Sequence, residues 1–178
     1  MSKSTQLPIP FPNSDGSISI SLTQGKVAII DAADYTLASQ YKWFAAFNKA
    51  SGDWRAGRNK FRIDGTKYTL YMHVLIMNPE PGYEVDHING DTLDNRRCNL
   101  RLATSQQNRY NSKKSQHKNA TSQYKGVQLF KGKWRARIGH NGVRLYLGKF
   151  PSEIEAAKAY DEKALELFGA FARLNFPD

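Results

Sequence analysis

Between Tyr83 and Asn111 the chain reads YEVDHINGDTLDNRRCNLRLATSQQNRYN, and few local folds accommodate that order. Residues 83–87 alternate in polarity, as a half-buried strand does. Turn formers follow, from Asn89-Gly90-Asp91 through Asp94-Asn95, as in a hairpin loop. A second short strand fits Asn99–Leu102. Thr104, with Gln107 three residues on, makes a capping box that starts a helix running from Ser105 to about Asn111. The segment is therefore strand, loop, strand, helix. Asp86 and His87 are adjacent on the first strand and Asn108 falls mid-helix. A carboxylate and an amide carbonyl are hard oxygen donors, suited to Mg²⁺ or a similar ion that keeps several waters. A neighbouring imidazole suits proton removal from water near neutral pH. Taken alone, Asp-His ahead of Asn-Gly also reads as an ordinary polar turn.

The order of the whole segment separates these readings. Asp86-His87, Asp94-Asn95-Arg96, Asn99-Leu100-Arg101 and Asn108 resemble the HNH nucleases, in particular the phage and intron HNH homing endonucleases. His87 to Asn99 is twelve residues and Asn99 to Asn108 is nine, as in the H-N-N variant of that motif. The resemblance implies roles. Asp86 is the first metal ligand and His87 the general base. Asn99 holds the loop and orients His87. Asn108 is the second metal ligand, where many HNH enzymes carry His. The implied cofactor is a divalent metal, Mg²⁺ first and Mn²⁺ second.

Charge placement names the partner. The 178-residue chain carries a formal net charge of +10. From Asn95 to Ser152 it has no Asp or Glu, while Lys and Arg recur throughout. Single-sign runs of this length point to a polyanion. No apolar stretch approaches the roughly 20 residues of a membrane span, and the Pro/Ser-rich N-terminus lacks an apolar signal core. The expected partner is double-stranded DNA, not a membrane. Cys98 is the single cysteine; it excludes a disulfide framework and a multi-cysteine structural zinc site, and suits an intracellular, unsecreted protein.

The flanks complete the plan. Residues 1–17 read as a flexible tail. Ile18, Ile20 and Leu22 alternate as a strand, followed by a second over Val27–Ile30. A short helix fits Ala32–Ser39, a hairpin fits Lys42–Asn48 with Trp54–Arg58, and a further strand fits Lys67–Met72. His73 lies in a short apolar helix ended by Asn78-Pro79, as a buried, hydrogen-bonded histidine. Residues 110–122 read as a basic linker, with Lys113, Lys114 and Lys118 placed to track phosphates.

From 123 onward, three short strands (Tyr124–Phe130, Lys133–Gly139 and Val143–Gly148) are separated by Lys131-Gly132 and Asn141-Gly142. Trp134, Ala136 and Ile138 face one way; Lys133, Arg135 and Arg137 face the other. Val143, Leu145 and Leu147 oppose Arg144 and Tyr146. A helix capped by Ser152 and Glu155 covers the apolar face with Ala156, Ala157, Tyr160 and Ala164, and Gly169 closes it. Tyr124-Lys125-Gly126-Val127, Lys133-Trp134-Arg135-Ala136, Tyr146-Leu147-Gly148-Lys149-Phe150 and Leu174-Asn175-Phe176-Pro177 resemble the DNA-binding domain of the plant ethylene-response-factor (Apetala) class. That resemblance implies DNA-facing roles for Lys125, Gly126, Gln128, Arg135, Arg137, Arg144 and Tyr146. Gln128 stands where Arg is usual, so the plant target does not transfer.

The expected fold class is α+β. A β-rich scaffold and HNH nuclease motif span 18–109 (core 83–111), a linker spans 110–122, and a three-stranded antiparallel sheet on one helix spans 123–178. The expected protein is a site-specific, metal-dependent DNA endonuclease leaving 5′-phosphate and 3′-hydroxyl ends, a monomer or weak dimer. The alternative is a non-catalytic DNA-binding regulator that retains the HNH scaffold.

Overall fold

The computed structural model describes residues 12–49, 51–114 and 120–177. The chain divides into two compact units, Met1–Thr104 and Ser105–Asp178. The division falls ahead of the 109/110 boundary expected from sequence, so the helix carrying Asn108 is counted with the second unit. No helix among the described residues is long and apolar enough to cross a membrane.

In the first unit, β1 (Ser17–Ser21) and β2 (Val27–Asp31) form an antiparallel hairpin with Ile18 opposite Ile30. Residues 12–16 form a turn tied to it: Asn13 N–H donates to Ser17 O, and Asp15 accepts from Ser17. A single helical turn, α1 (Tyr35–Ala38), leads into β3 (Phe44–Asn48), β4 (Asp53–Phe61) and β5 (Lys67–Tyr71), an antiparallel sheet in that order. α2 (Met72–Met77) follows directly and stops at Asn78, whose left-handed backbone (φ 41°, ψ 61°) precedes Pro79. β6 (Glu84–His87) pairs with β7 (Leu100–Ala103), setting Asp86 opposite Arg101 and His87 opposite Leu100. One core joins these pieces: Ile18, Ala28, Ile30, Trp43, Ala45, Ala56, Met72, Ile76, Val85 and Leu100 are all buried.

The N-terminal hairpin does more than fill this core. Ile29 on β2 donates its N–H to Leu93 O (2.9 Å) and accepts from Asn95 N–H (2.7 Å). That parallel bridge pins the β6–β7 loop to the sheet edge. Arg97 strengthens the join. Its backbone N–H reaches Asp31 (2.7 Å), and its guanidinium grips both oxygens of buried Asp34 (2.9 and 2.8 Å). The scaffold thus holds the loop between the two motif strands by backbone hydrogen bonds and a bidentate ion pair.

The second unit opens with α3 (Ser105–Tyr110) and continues to β8 (Val127–Phe130), β9 (Lys133–His140) and β10 (Val143–Phe150), antiparallel in the order β10-β9-β8. α4 (Glu153–Phe168) lies on one face, started by Ser152, whose hydroxyl accepts from Glu155 N–H at 3.2 Å. Ala156, Ala157 and Ala164 are fully buried, so the helix approaches the sheet closely. Gly126 marks the closest approach. At φ +78°, a Cβ there would lie 2.0 Å from the Tyr160 ring and 2.6 Å from Arg137 O. Buried Asp161 accepts from the backbone N–H groups of Asn175 and Phe176, each at 2.9 Å, and the Asn175 amide is bonded in turn to the backbone of Lys125. The Leu174-Asn175-Phe176 segment is therefore a clasp between α4 and the entry to β8.

Strict alternation fails in β10. Tyr146 pairs with Arg137, but Gly148, not Leu147, pairs with Ala136, so a bulge lies between them. The extra residue flips the parity beyond it. Lys149 therefore sits opposite Arg135 on the polar face, and Phe150 opposite Trp134 on the apolar one. β10 also runs two residues beyond the Val143–Gly148 expected from sequence.

Candidate functional site

β6 ends on three consecutive buried residues, Val85, Asp86 and His87. Val85 belongs to the core, so the strand's other face carries Asp86 to its cross-strand partner Arg101. Arg101 Nε and Nη2 donate to Asp86 Oδ2 at 2.8 and 2.6 Å. A carboxylate buried this deeply needs such a counter-charge.

The His87 ring meets Asn95 Oδ1 at 3.4 Å through Nε2. Asn95 has no exposed surface, and its own Nδ2 donates to Leu93 O at 3.0 Å. Asn99, expected both to hold the loop and to orient His87, has its side chain on the loop. Its Oδ1 accepts from Asn89 N–H (2.9 Å) and its Nδ2 donates to Asp94 O (2.8 Å). The contact to the imidazole comes from Asn95. Asp94-Asn95 reads as loop punctuation in the sequence, and only the loop's burial under β2 turns Asn95 inward.

His73 is buried as expected but not hydrogen-bonded as expected: its Nδ1 has no partner. Its ring instead stacks on Tyr71 (5.6 Å, 8° between planes) and meets the His87 ring edge-on at 4.8 Å. Burial holds His73 well below the ordinary histidine range, reinforced by His87 and by the positive charge of Arg55. Burial also lowers His87. Asn95, Asp86 and Asp91 oppose that shift, while Arg55 adds to it. The lowered pKa favours the neutral imidazole, the form a general base requires. Arg55, on β4, was not singled out by sequence. No motif surrounds it, and only the meander brings it to the Tyr71 ring that stacks on His73.

Asp86 and His87 stand on β6 of the first unit, and Asn108 stands half-buried on α3 of the second. The donor chemistry fits a hard divalent cation. Asp86 is a buried carboxylate that already accepts a full positive charge at one oxygen. Among the described residues no three His, Cys, Asp or Glu side chains gather at one point.

The cationic run from Asn95 to Ser152 is not all available to a partner. Arg96 pairs with Asp94 (2.8 Å) and Asp15 (3.0 Å), Arg97 with Asp34 and Arg101 with Asp86. The polar face of the C-terminal sheet is different. Gln128, Arg135 and Lys149 form one cross-strand row, and Arg137 and Tyr146 form the next. Arg144 and Tyr146 are exposed. Arg135 donates to Gln128 Oε1 (2.8 Å) and lies over Phe130, 4.3 Å from the ring centre.

Two expected DNA-facing positions are otherwise engaged. Gly126 lies against Tyr160. Lys125 donates from Nζ to Tyr110 O and Ser112 O, both at 2.7 Å. Its desolvation, with Arg173 nearby, lowers its pKa to about 8. Lys113, Lys114, Lys125 and Arg173 line a cavity of about 270 Å³. Lys118 lies outside the described residues.

Known proteins share both halves of this arrangement. Residues 71–110 match the HNH endonuclease family. An uncharacterized HNH endonuclease of Acanthamoeba polyphaga mimivirus is 33% identical over 153 residues, 85% of this chain and 76% of the relative. Dehydration-responsive element-binding protein 2A of Arabidopsis thaliana is 50% identical over 62 residues, 33% of this chain but 18% of the plant protein. Its counterpart in Oryza sativa subsp. indica is 49% identical over 63 residues. The plant likeness thus covers a small part of those proteins. The mimivirus likeness runs through most of both chains, and on that ground the protein belongs to the HNH endonuclease family.

Proposed function

We propose that the protein is a site-specific, metal-dependent DNA endonuclease of the homing type, in which the C-terminal sheet selects the site and the β6–β7 motif cuts. The observation that carries the cutting half is His87, a buried imidazole hydrogen-bonded to the buried Asn95 amide and adjacent to a buried carboxylate. His87 takes the proton from the attacking water. Asn95 fixes the ring, and Asn99 holds the loop that carries Asn95. Asp86 would hold the divalent metal, Mg²⁺ or Mn²⁺, and the HNH resemblance names Asn108 as the second ligand. When bound, that ion stabilises negative charge on the scissile phosphate and the leaving 3′ oxygen. The products are 5′-phosphate and 3′-hydroxyl ends.

Site selection rests on the polar sheet face that carries Gln128, Arg135, Arg137, Arg144 and Tyr146. A sheet with such a face fits the major groove, where Arg pairs bidentately with guanine. Lys113, Lys114 and Lys118 contribute phosphate contacts. A monomer or weak dimer inside the cell satisfies this reading, with one strand cut per active site. Selection of cleaved duplexes from a random library tests it. Recovered ends should be ligatable without prior phosphorylation and should share a sequence. Recovery of bound but uncut duplexes alone would leave a non-catalytic regulator, and cuts without common sequence would remove the site-specific claim.

A further inference from the structure

We propose that Arg55 is a phosphate-binding residue of the cutting site, the fixed cation that receives the scissile phosphodiester beside His87. The proposal rests on the nuclease reading above and adds to it a residue outside the motif. Arg55 is half-buried on β4, and its Nε is shielded from solvent with no hydrogen-bond partner. Arg96, Arg97 and Arg101, by contrast, each hold a carboxylate. Among the described residues no carboxylate lies within ion-pair distance of Arg55. A half-buried guanidinium without hydrogen bonds is costly unless an anion completes it.

Its position says which anion. The guanidinium lies 5.5 Å from the centre of the Tyr71 ring. Tyr71 stacks on His73 and His73 meets His87, so one line of contacts joins Arg55 to the base. Its charge is felt by both imidazoles. Arg58, three residues on, also has an unpartnered Nε, but its guanidinium is packed 3.5 Å over Tyr41. A guanidinium presents parallel N–H donors that match two phosphate oxygens. Packed against the Tyr71 ring, Arg55 would hold a diester on the side of the site that the stacked Tyr71, His73 and His87 rings define.

The test uses the full chain and two readouts. Arginine Nε–H resonances are followed while inorganic phosphate is added, with Arg55→Lys supplying the assignment. Single-turnover cleavage of a selected duplex is measured for wild type, Arg55→Lys and Arg55→Ala, with melting curves to confirm folding. One Nε–H signal, Arg55, should move and saturate, and should still do so in His87→Ala. Arg55→Ala should cut roughly 100-fold more slowly, a typical loss for one charge-stabilising donor. Its duplex affinity should change less than about threefold, because the sheet face supplies most contacts. Arg55→Lys should recover part of the rate, and if Arg55→Ala does not fold it carries the comparison alone. A phosphate-insensitive Arg55 signal, or variants cutting at the wild-type rate, would overturn the proposal while leaving the nuclease reading intact. A saturable Arg55 shift in a wild type that cuts nothing would uphold the phosphate site and defeat the nuclease reading.

Discussion

Arg101 and Asp86 show how one residue pair can be both structural and preparatory. Their ion pair is largely shielded from solvent. Truncating one partner of such a pair leaves an uncompensated charge and typically costs about 3 kcal/mol or more. Arg101→Ala should therefore lower the melting temperature, and millimolar Mg²⁺ should restore more of it than it adds to wild type. Equal Mg²⁺ responses in the two proteins would argue that Asp86 does not hold the ion. His73 gives a pH prediction. Its folded pKa is depressed, so the unfolded chain binds the extra proton at higher pH than the folded one. Stability should be full above the ordinary value of 6.5 and fall as pH drops below it, toward the depressed folded value. Denaturation at pH 5 and 7 checks this, and His73→Phe should flatten the slope. His87 is also depressed, so the acid limb of a pH–rate profile should lie below 6.5. At this scale the motif's resemblance names Asp86, His87 and Asn99 as candidates, and the structure gathers Asp86 and His87 on β6 and Asn99 on the loop. Asn95 and Arg55 were not legible: a buried loop places Asn95 against His87 and β4 places Arg55 against Tyr71, and no local pattern encodes either.

Among the elements, the C-terminal sheet was the most legible, because Asn-Gly turns and a clean period of two fix its strands and faces. Its first strand starts at Val127 and not Tyr124, and the β10 bulge was misread. Gly148, at φ 135°, was the available signal, since glycine inside a strand often marks one. The bulge carries a prediction. Lys149→Ala should reduce DNA affinity and make the salt dependence of binding shallower, whereas strict alternation would place Lys149 in the core and predict lost stability instead. Gly126 gives the converse. Gly126→Ala forces a methyl into the Tyr160 ring at a left-handed backbone position, and should destabilise the second unit by roughly 3 kcal/mol. Loss of DNA binding in that variant should track its unfolding in calorimetry. α2 ended where Asn78-Pro79 predicted. The buried hydrogen bond expected of His73 did not form, because aromatic neighbours occupy its surroundings.

For the whole molecule, the division after Thr104 assigns the nuclease strands to one unit and α3, with the basic sheet, to the other. Composition made the polyanion partner plain, but not which cations face it. Three arginines of the acid-free run are matched internally by Asp15, Asp34, Asp86 and Asp94, carboxylates from earlier in the chain, and sequence order hides such pairings. The measurement that bears most directly on the whole account is the single-turnover rate of strand cleavage on a selected duplex, with Mg²⁺ and with chelator, for wild type, Asp86→Ala and His87→Ala. The account predicts metal-dependent cutting by wild type and a fall of at least about 100-fold in either variant, with duplex affinity kept. Cleavage that survives chelator, or variants that cut as fast as wild type, would contradict it.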